Sequence, residues 1–445
     1  MSKKTARLLA LLASLALLLA ACGGSAEEAG GEESEPAAET SEPAEASEAS
    51  EAVEATGIGD GTLTIGTVLP ETGSLASLGP PEFAGAELAV QEINEAGGVL
   101  DTDVELLQGD SGDTTTDIAN QTVDQHVANG ADVIVGAASS AVSFTFIDKV
   151  TGAGLIHFSP ANTSPDFTDY EDRDLYFRTA PSDVLQGRVM GELVIDDGHA
   201  TVGIMALQDP YGEGLLNNVS ETVTESGGEV TDEIIYDPQA QNFDAEVQQL
   251  VSSDPDAIVV IGFAESGRLF STLIEQGIGP DSKALYCVDG NVDTAELAEI
   301  GAEIEGTRCT LPGAPAEGDF RERLIEAAGG SLDSFSYGPE TYDAIVTSAL
   351  AAAIAESDVG GDMAAELPGV TREGTKCASY EECLGLIDDG EDIDYDGASG
   401  PIELDDEGDP QVANFQIREY TGDEFTELAD TKNVSMPGAG ETSSE

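Results

Sequence analysis

Short runs of apolar residues alternate along the chain with longer segments in which apolar residues recur every three or four positions. Thr62–Leu69, Ala131–Val135 and Leu155–Phe158 are apolar runs that end at glycine or proline positions, and they indicate buried strands of a parallel sheet. Glu82–Ala96 has helical spacing instead. This alternation of strand and helix predicts an α/β fold with a doubly wound parallel sheet.

A second alternating series begins near Ala200. Val202–Leu207 and Ala257–Phe263 indicate strands, and Gly214–Ser226 indicates a helix between them. Two such series in tandem predict two lobes with a cleft between them. Ligands of open α/β sheets bind at the carboxyl edge, so we expect the binding residues where the strands end.

The N-terminal segment has the pattern of an export signal. Lys3, Lys4 and Arg7 precede the apolar run Leu8–Ala20, which is too short to span a bilayer comfortably. The run ends in LAAC, whose last residue is Cys22, and this tetrapeptide resembles a bacterial lipobox. The resemblance implies that residues 1–21 are a lipoprotein signal peptide and that Cys22 is lipidated.

The segment after Cys22 is dominated by Glu, Ala, Ser and Gly, a composition that cannot bury a core. We therefore predict a disordered acidic tether over residues 22–58, and a disordered tail over residues 431–445. The expected location is outside the cytoplasm, lipid-anchored on the outer face of the cell membrane, in a periplasm or at the cell surface.

The charge of the chain excludes several classes of partner. With 88 acidic and 16 basic residues the formal net charge is −72, so neither nucleic acid nor an anionic lipid surface is an expected partner. The membrane is therefore expected to hold the protein only through the lipid anchor. Motifs such as G-x-S-x-G, H-E-x-x-H and G-x-G-x-x-G are absent from the sequence, so we predict a binding protein without a cofactor rather than an enzyme.

Four cysteines follow Cys22, and an exported protein meets an oxidising environment. Four cysteines allow three pairings, of which the local one joins Cys287 to Cys309 and Cys377 to Cys383. We favour this pairing over a zinc site, because these cysteines have neither the usual C-x-x-C spacing of zinc ligands nor a nearby histidine.

The sequence also contains a weak candidate for a calcium site, in an acidic segment near the C-terminus. It matches the EF-hand pattern D-x-D-x-D-G-x5-E, with Asp392, Asp394, Asp396 and Glu403 as the ligands. Gly400-Pro401 interrupts this loop, and Ser399 replaces the usual aliphatic residue. We therefore expect no metal here and interpret the segment as a turn and strand.

Ser140 and the run Ser159-Pro160-Ala161-Asn162-Thr163 follow the two central apolar runs of the first series. Their order and spacing resemble the ligand-binding segment of the periplasmic leucine/isoleucine/valine-binding proteins. The resemblance implies that Ser140, the backbone of Ala161, and Thr163 grip the α-carboxylate and α-amino groups of an amino acid.

Further matches to the same family lie on both halves of the chain. The glycine-rich loop Gly73–Gly79 implies that Leu78 covers the ligand side chain, where relatives carry an aromatic residue. The motif YGEG implies a ligand contact by Tyr211, and Phe263 stands where family members often carry Tyr. Asp289 matches an acidic residue that pairs with the ligand ammonium, although branched-chain binders have Glu there.

The resemblance implies a type I periplasmic-binding-protein fold whose chain crosses between its lobes three times, near 181, 313 and 411. Lobe I would comprise residues 59–180 and 313–410, and lobe II residues 181–312 and 411–430. The implied function is the substrate-binding component of an ABC transporter, a monomer that closes on a branched-chain or other amino acid and delivers it to a permease. A binder of another small ligand, such as an amide or urea, and a ligand-sensing receptor of the same fold remain alternatives.

Overall fold

The structure is a computed structural model that describes residues 59–422, 424–427 and 432–436. The predicted signal peptide, the lipidation site Cys22 and the tether lie outside the described residues.

The first sheet is parallel, as the apolar runs predict. Its strand order is β2-β1-β3-β4-β5, and each neighbouring pair runs in the same direction. The strands β1, β3 and β4 are buried along their whole length, because helices cover both faces. The bounds are β1 Thr64–Val68, β2 Glu105–Leu107, β3 Val133–Gly136, β4 Ile156–Ser159 and β5 Tyr176–Arg178.

The second sheet mixes parallel and antiparallel strands. Its order is β15-β14-β10-β9-β8-β6-β7, with β16 paired to β14. Strands β6 to β10 pair with one another in parallel. Strand β14, which the sequence analysis did not predict, pairs with β10 in the antiparallel direction. The bounds are β6 Thr201–Leu207, β7 Glu229–Tyr236, β8 Ala257–Ile261, β9 Ala284–Cys287, β10 Arg308–Pro312, β14 Val412–Thr421, β15 Glu424–Glu427 and β16 Lys432–Ser435.

The strand β16 corrects the prediction that residues 431–445 form a disordered tail. Val434 is buried and pairs with Ala413 of β14, so part of this segment adds a strand to the second sheet. The sequence pattern missed it because one apolar residue in a short polar segment is no strand signal on its own.

The helices surround the two sheets, and several begin at a side chain that caps the first turn. Ser139 accepts from the Val142 N–H at the start of α3, and Asp209 accepts from the Gly212 N–H at the start of α6. Helix α6 begins at Pro210 rather than at the predicted Gly214, since proline suits the first helical turn. The bounds are α1 Gly79–Glu95, α2 Ile118–Ala128, α3 Ser140–Ser143, α4 Ile147–Gly152, α5 Asp183–Asp196, α6 Pro210–Glu225, α7 Asp244–Ser253, α8 Ser266–Glu275, α9 Ala295–Ile300, α10 Gly318–Ala327, α11 Gly338–Ala355, α12 Gly360–Val370 and α13 Tyr380–Asp388.

The core of the first sheet is assembled from two separate stretches of chain. Side chains of β3 and β4 share one apolar cluster with the later helices α11 and α12. Helix α11 is almost entirely buried. Within the described residues, no single helix meets the length and hydropathy of a membrane span; α11 and α12 meet them only together, as a pair bent by 110°.

The cysteines form the predicted local pairs, Cys287–Cys309 and Cys377–Cys383. The first joins the adjacent strands β9 and β10, in which the two cysteines are directly paired. The second joins α13 to β11, a strand of a small three-stranded sheet. That sheet comprises β11 Thr375–Cys377, β12 Ile393–Gly397 and β13 Gly400–Pro401.

The segment Asp392–Glu403 forms the antiparallel pair β12–β13 rather than an EF-hand loop followed by a helix. Oxygens of Asp394, Asp396 and Glu403 lie within 4.8 Å of one another, whereas the Asp392 side chain is exposed. The Lys376 ammonium contacts these three carboxylates at 2.9, 3.0 and 3.4 Å. The lysine supplies the positive charge that a calcium ion would bring, which supports the expectation of no metal.

Candidate functional site

The chain turns sharply where β4 ends, and a serine holds the turn. Ser159 Oγ donates to the Ala137 carbonyl and accepts from the N–H groups of Ala161 and Asn162. Ser140 Oγ, in the first turn of α3, accepts from the Ser164 N–H at 3.3 Å. The residues that follow β3 and β4 therefore meet at one sheet edge, where Ser140, Ala161 and Thr163 lie close together.

Thr163 connects this edge to a residue that the sequence analysis did not single out, Asp183. The Thr163 hydroxyl donates to Asp183 Oδ2 at 3.0 Å, and the Asp183 N–H donates to the Thr163 carbonyl at 2.7 Å. Asp183 is the first residue of α5, directly after the capping Ser182. Its other oxygen, Oδ1, is buried and has no hydrogen-bond partner among the described residues.

Asp289 lies in the same region and accepts hydrogen bonds from three parts of the chain. Gln186 Nε2 of α5 and the Tyr211 hydroxyl of α6 donate to Oδ1 at 2.7 and 2.9 Å. The Tyr337 hydroxyl, from the residue before α11, donates to Oδ2 at 2.7 Å. Gln186 and Tyr337 are further site residues that the sequence analysis missed.

Two buried carboxyl groups therefore share a small volume. Burial raises the pKa of Asp289, and the hydrogen bonds from Tyr337, Gln186 and Tyr211 oppose this rise. Burial raises the pKa of Asp183 well above its ordinary value, and the nearby charge of Asp289 raises it further. Ionisation of both Asp183 and Asp289 is therefore unfavourable until a cation enters the site.

Apolar residues form the remaining wall of the site. Leu78 and Ala161 belong to the same buried cluster as Tyr211 and Phe263, so the predicted residues from both halves of the chain lie in one cluster. The rings of Tyr211 and Phe263 stack with centroids 5.4 Å apart and planes inclined by 10°. Leu75 belongs to this cluster as well.

A cavity of about 420 Å³ adjoins this wall. Ser74 and Ser139 line it from the first half of the chain, and Asp209, Phe263 and Glu265 line it from the second. Because residues of both halves line the cavity, it is part of a cleft between the two sheets. The arrangement can hold a small molecule.

Away from this cavity, Asp293 forms a second connection across the cleft. Asp293 follows β9 of the second sheet, and its Oδ2 accepts from Ser334 Oγ at 2.8 Å and Ser336 Oγ at 3.1 Å. Both serines precede α11, which packs on the first sheet. Arg418 of β14 also donates to Asp293 Oδ2, at 3.0 Å.

We expect the double variant Ser334→Ala/Ser336→Ala to weaken closure of the cleft without touching a bound ligand. Loss of two hydrogen bonds to a carboxylate should cost about 1–3 kcal/mol of closing free energy, seen as faster ligand dissociation in stopped-flow measurements. Ser331→Ala is the matched control, because Ser331 is exposed and makes none of the hydrogen bonds to Asp293. Equal dissociation rates in both variants would contradict a role for Asp293 in closure.

The sequence analysis missed Asp183, Gln186 and Tyr337 because none of them belongs to a local motif that indicates a binding site. An acidic residue after a serine cap is typical of any helix start, so Asp183 gave no separate signal. Gln186 is one helical turn further along α5 and shares its inward face. Tyr337 is 48 residues from Asp289 in sequence, and only the packing of α11 brings the two side chains together.

Comparison with known proteins identifies the family. Residues 62–419 match the model of the family described as "Periplasmic binding protein". The "Leu/Ile/Val-binding protein homolog 2" of Brucella abortus (strain 2308) is 28% identical over 289 residues, which cover 63% of this chain and 74% of that protein.

Solved structures share the fold. A leucine binding protein from Thermotoga maritima superposes with a TM-score of 0.68 at 22% identity, covering 83% of this chain and 98% of the other. An ABC transporter solute binding protein from R. palustris in complex with benzoate gives a TM-score of 0.66 at 18% identity, covering 84% and 98%. These proteins are named as binding proteins rather than enzymes. The present chain belongs to the periplasmic binding protein family and has its type I fold.

Proposed function

We propose that this protein is the substrate-binding component of an ABC transporter and that it captures an α-amino acid between its lobes. The observation that carries this proposal is a pair of buried acceptors without donors, Asp183 Oδ1 and Gln186 Oε1, beside the carboxylate of Asp289. Buried polar groups are nearly always hydrogen-bonded, so a ligand that brings several N–H donors fits this place. A primary ammonium group brings three donors and a positive charge.

The other end of the amino acid would lie at the sheet edge. The Ser140 hydroxyl accepts from the Ser164 N–H and can donate its own proton to a carboxylate there. The Ala161 N–H and the Thr163 hydroxyl now donate to Ser159 and Asp183, and they would exchange these acceptors for the ligand carboxylate. Leu78, Tyr211 and Phe263 would pack against the side chain of the ligand. Benzoate, the ligand of one structural relative, brings a carboxylate but no ammonium, and it would leave Asp183 and Gln186 unpaired.

The proposed mechanism is closure about a hinge. Lobe I would comprise residues 59–180 and 313–410, and lobe II residues 181–312 and 411–430. An amino acid would stabilise the closed state, because only there do Thr163 and Asp289 contact it at the same time. The closed protein would then deliver the ligand to the permease without any chemical step.

The cellular setting completes the proposal. Relatives are named as Leu/Ile/Val-binding and ABC transporter solute binding proteins, which supports the permease as the partner. The lipobox-like sequence at Cys22 supports a lipid anchor on the outer face of the cell membrane. We propose that the protein acts there as a monomer.

We expect amino acid binding to release protons over the pH range in which Asp183 and Asp289 ionise in the ligand-free protein. Burial raises the carboxyl pKa values of Asp183 and Asp289 in the ligand-free protein, and a bound ammonium would lower them again. Affinity should therefore rise with pH as these carboxyl groups ionise in the ligand-free protein. Isothermal titration calorimetry in two buffers with different ionisation enthalpies measures the release, and a buffer-independent heat would contradict this electrostatic role.

The test of the function itself is a thermal-shift screen on residues 22–445 with Cys22→Ser. The panel contains the twenty L-amino acids, urea, acetamide and benzoate. A ligand at 100 times its dissociation constant should add about 2.7 kcal/mol of stability. Stabilisation by at least one amino acid is the expected result, and stabilisation by urea, acetamide or benzoate alone would overturn the ammonium site.

A further inference from the structure

Strands β9 and β10 join two parts of the second sheet that have different roles. Strand β9 leads to Asp289, which follows its last residue by two positions. Strand β10 carries the chain out of this sheet, because the later helix α11 packs in the apolar cluster of the first sheet. Strand β14, the partner of β10, brings the chain back from Asp409, which pairs with Arg178 of β5. The junction between β9 and β10 therefore fixes Asp289 relative to the connections between the two sheets.

This junction is short, and a disulfide strengthens it. Its paired residues are Tyr286 with Arg308 and Cys287 with Cys309, whereas β10 pairs with β14 along its whole length. So short a ladder offers few backbone hydrogen bonds to hold the register of the two strands. The disulfide Cys287–Cys309 makes one of the two pairs covalent, and it lies two residues before Asp289.

Helix α5 crosses the same junction and links the other pair of residues. Asp197, which caps the end of α5, accepts from the Tyr286 hydroxyl at 2.7 Å and forms an ion pair with Arg308. Successive side chains of a strand point to opposite faces, so α5 covers one face of the junction and the disulfide lies on the other. The two strands are therefore cross-linked on both faces.

Gln186 of α5 bridges the strands again at the end nearer to the proposed ligand. Its Nε2 donates to Asp289 Oδ1 at 2.7 Å and to Thr310 Oγ1 at 3.2 Å. Thr310 follows Cys309 in β10 and is fully buried. A shift of β10 against β9 would lengthen one of these two hydrogen bonds. The position of the Asp289 carboxylate thus depends on the register of the two strands.

We propose that the disulfide Cys287–Cys309 and Thr310 position Asp289 for ligand binding without touching the ligand. The inference rests on the proposed function, because Asp289 must pair with the ammonium group of an amino acid. The disulfide holds β9 on β10, and Thr310 holds Gln186 against the carboxylate. Asp289 is then in place before the ligand arrives, which reduces the ordering cost of binding.

The first test removes this disulfide and compares it with the second one. Cys287→Ala/Cys309→Ala should bind the best amino acid of the thermal-shift screen about tenfold more weakly than the wild type, by calorimetry well below the melting temperature. Cys377→Ala/Cys383→Ala is the matched control, because that disulfide joins α13 to β11 and has no link to Asp289. Its affinity should equal that of the wild type.

A second pair of variants keeps both disulfides. Thr310→Val removes one of the two acceptors of the Gln186 amide and should weaken binding about threefold. Thr307→Val is its control, since the Thr307 hydroxyl is buried just before β10 and has no hydrogen-bond partner among the described residues. Its affinity should not change.

A double-mutant cycle with Asp289→Asn separates positioning from a general loss of stability. If the disulfide acts through Asp289, its removal should change the affinity of the Asp289→Asn protein by less than about twofold, because the charge that it positions is absent. A disulfide with a merely structural role would cost the same factor in both backgrounds.

The outcomes separate this inference from the proposed function. If amino acids bind but Cys287→Ala/Cys309→Ala binds as tightly as the wild type, or no more weakly than Cys377→Ala/Cys383→Ala, the positioning role is wrong and the function stands. An equal loss in the Asp289→Asn background leads to the same conclusion.

If Cys287→Ala/Cys309→Ala does not fold, Thr310→Val decides, and an affinity equal to that of Thr307→Val overturns the inference. If no amino acid binds to the folded wild-type protein, the proposed function and this inference are both overturned.

Discussion

Asp183→Asn is expected to weaken amino acid binding by at least about 30-fold while leaving the protein folded. Asp183 Oδ1 is a buried oxygen without a partner, and the substitution removes the charge that an ammonium would pair with. Loss of one partner of a buried charged pair costs about 2–5 kcal/mol, which corresponds to roughly a 30-fold to several-thousand-fold loss of affinity. Calorimetry with the best amino acid of the thermal-shift screen measures the loss.

The stability of the same variant provides an independent check. The pKa of Asp183 is raised in the folded state, so ionisation opposes folding and the wild type loses stability as pH rises above the ordinary carboxyl pKa. An asparagine lacks this opposing ionisation, and we expect an equal or higher melting temperature at pH 8. Asp196→Asn, at the exposed end of the same helix, is the control for both measurements. Unchanged affinity in Asp183→Asn would exclude Asp183 from the binding site.

Arg178→Met is expected to cause the largest loss of stability, about 3–5 kcal/mol. Arg178 at the end of β5 is fully buried and pairs with Asp409 through Nε–Oδ1 and Nη2–Oδ2 contacts of 2.6 and 2.7 Å. Its Nη1 also donates to the Ser164 carbonyl at 2.8 Å. Removing the guanidinium leaves a buried carboxylate whose remaining side-chain donor is the Thr168 hydroxyl. Urea unfolding monitored by circular dichroism measures the change.

Two further variants test whether the loss comes from the unpaired charge. Arg178→Met/Asp409→Leu removes both charges and should recover part of the stability, because no buried ion then lacks a partner. Arg188→Met removes an ion pair with Glu192 that is 40% and 45% exposed, and it should cost less than about 1 kcal/mol. A double variant no more stable than Arg178→Met would contradict the charge-burial explanation.

The sequence pattern was sufficient for the architecture because most elements are strongly marked. Apolar runs that end at glycine or proline gave β1, β3 and β4, and the structure shows them as buried parallel strands. The local cysteine pairing is also confirmed. Strand β14 was missed, because its alternating burial mixes apolar positions with Gln and Arg and its partner β10 precedes it by about a hundred residues.

The binding site was predictable only where short motifs mark it. Ser140, Thr163 and Tyr211 stand in local patterns, and the structure brings them to one cleft. Asp183, Gln186 and Tyr337 carry no local pattern, since each becomes part of the site through tertiary packing. The same reason hides the cavity that Asp209 and Glu265 line, because Asp209 is locally a helix cap and Glu265 locally precedes a helix.

The order of the helices along the chain has a consequence for how the protein is synthesised and exported. Residues 59–312 include all five strands of the first sheet, but α11, which packs on β3 and β4, follows them. A chain that emerges from its N-terminus therefore exposes the apolar face of this sheet until α11 arrives. Such a face is prone to aggregation, so the first sheet is expected to depend on a chaperone until α11 has been synthesised.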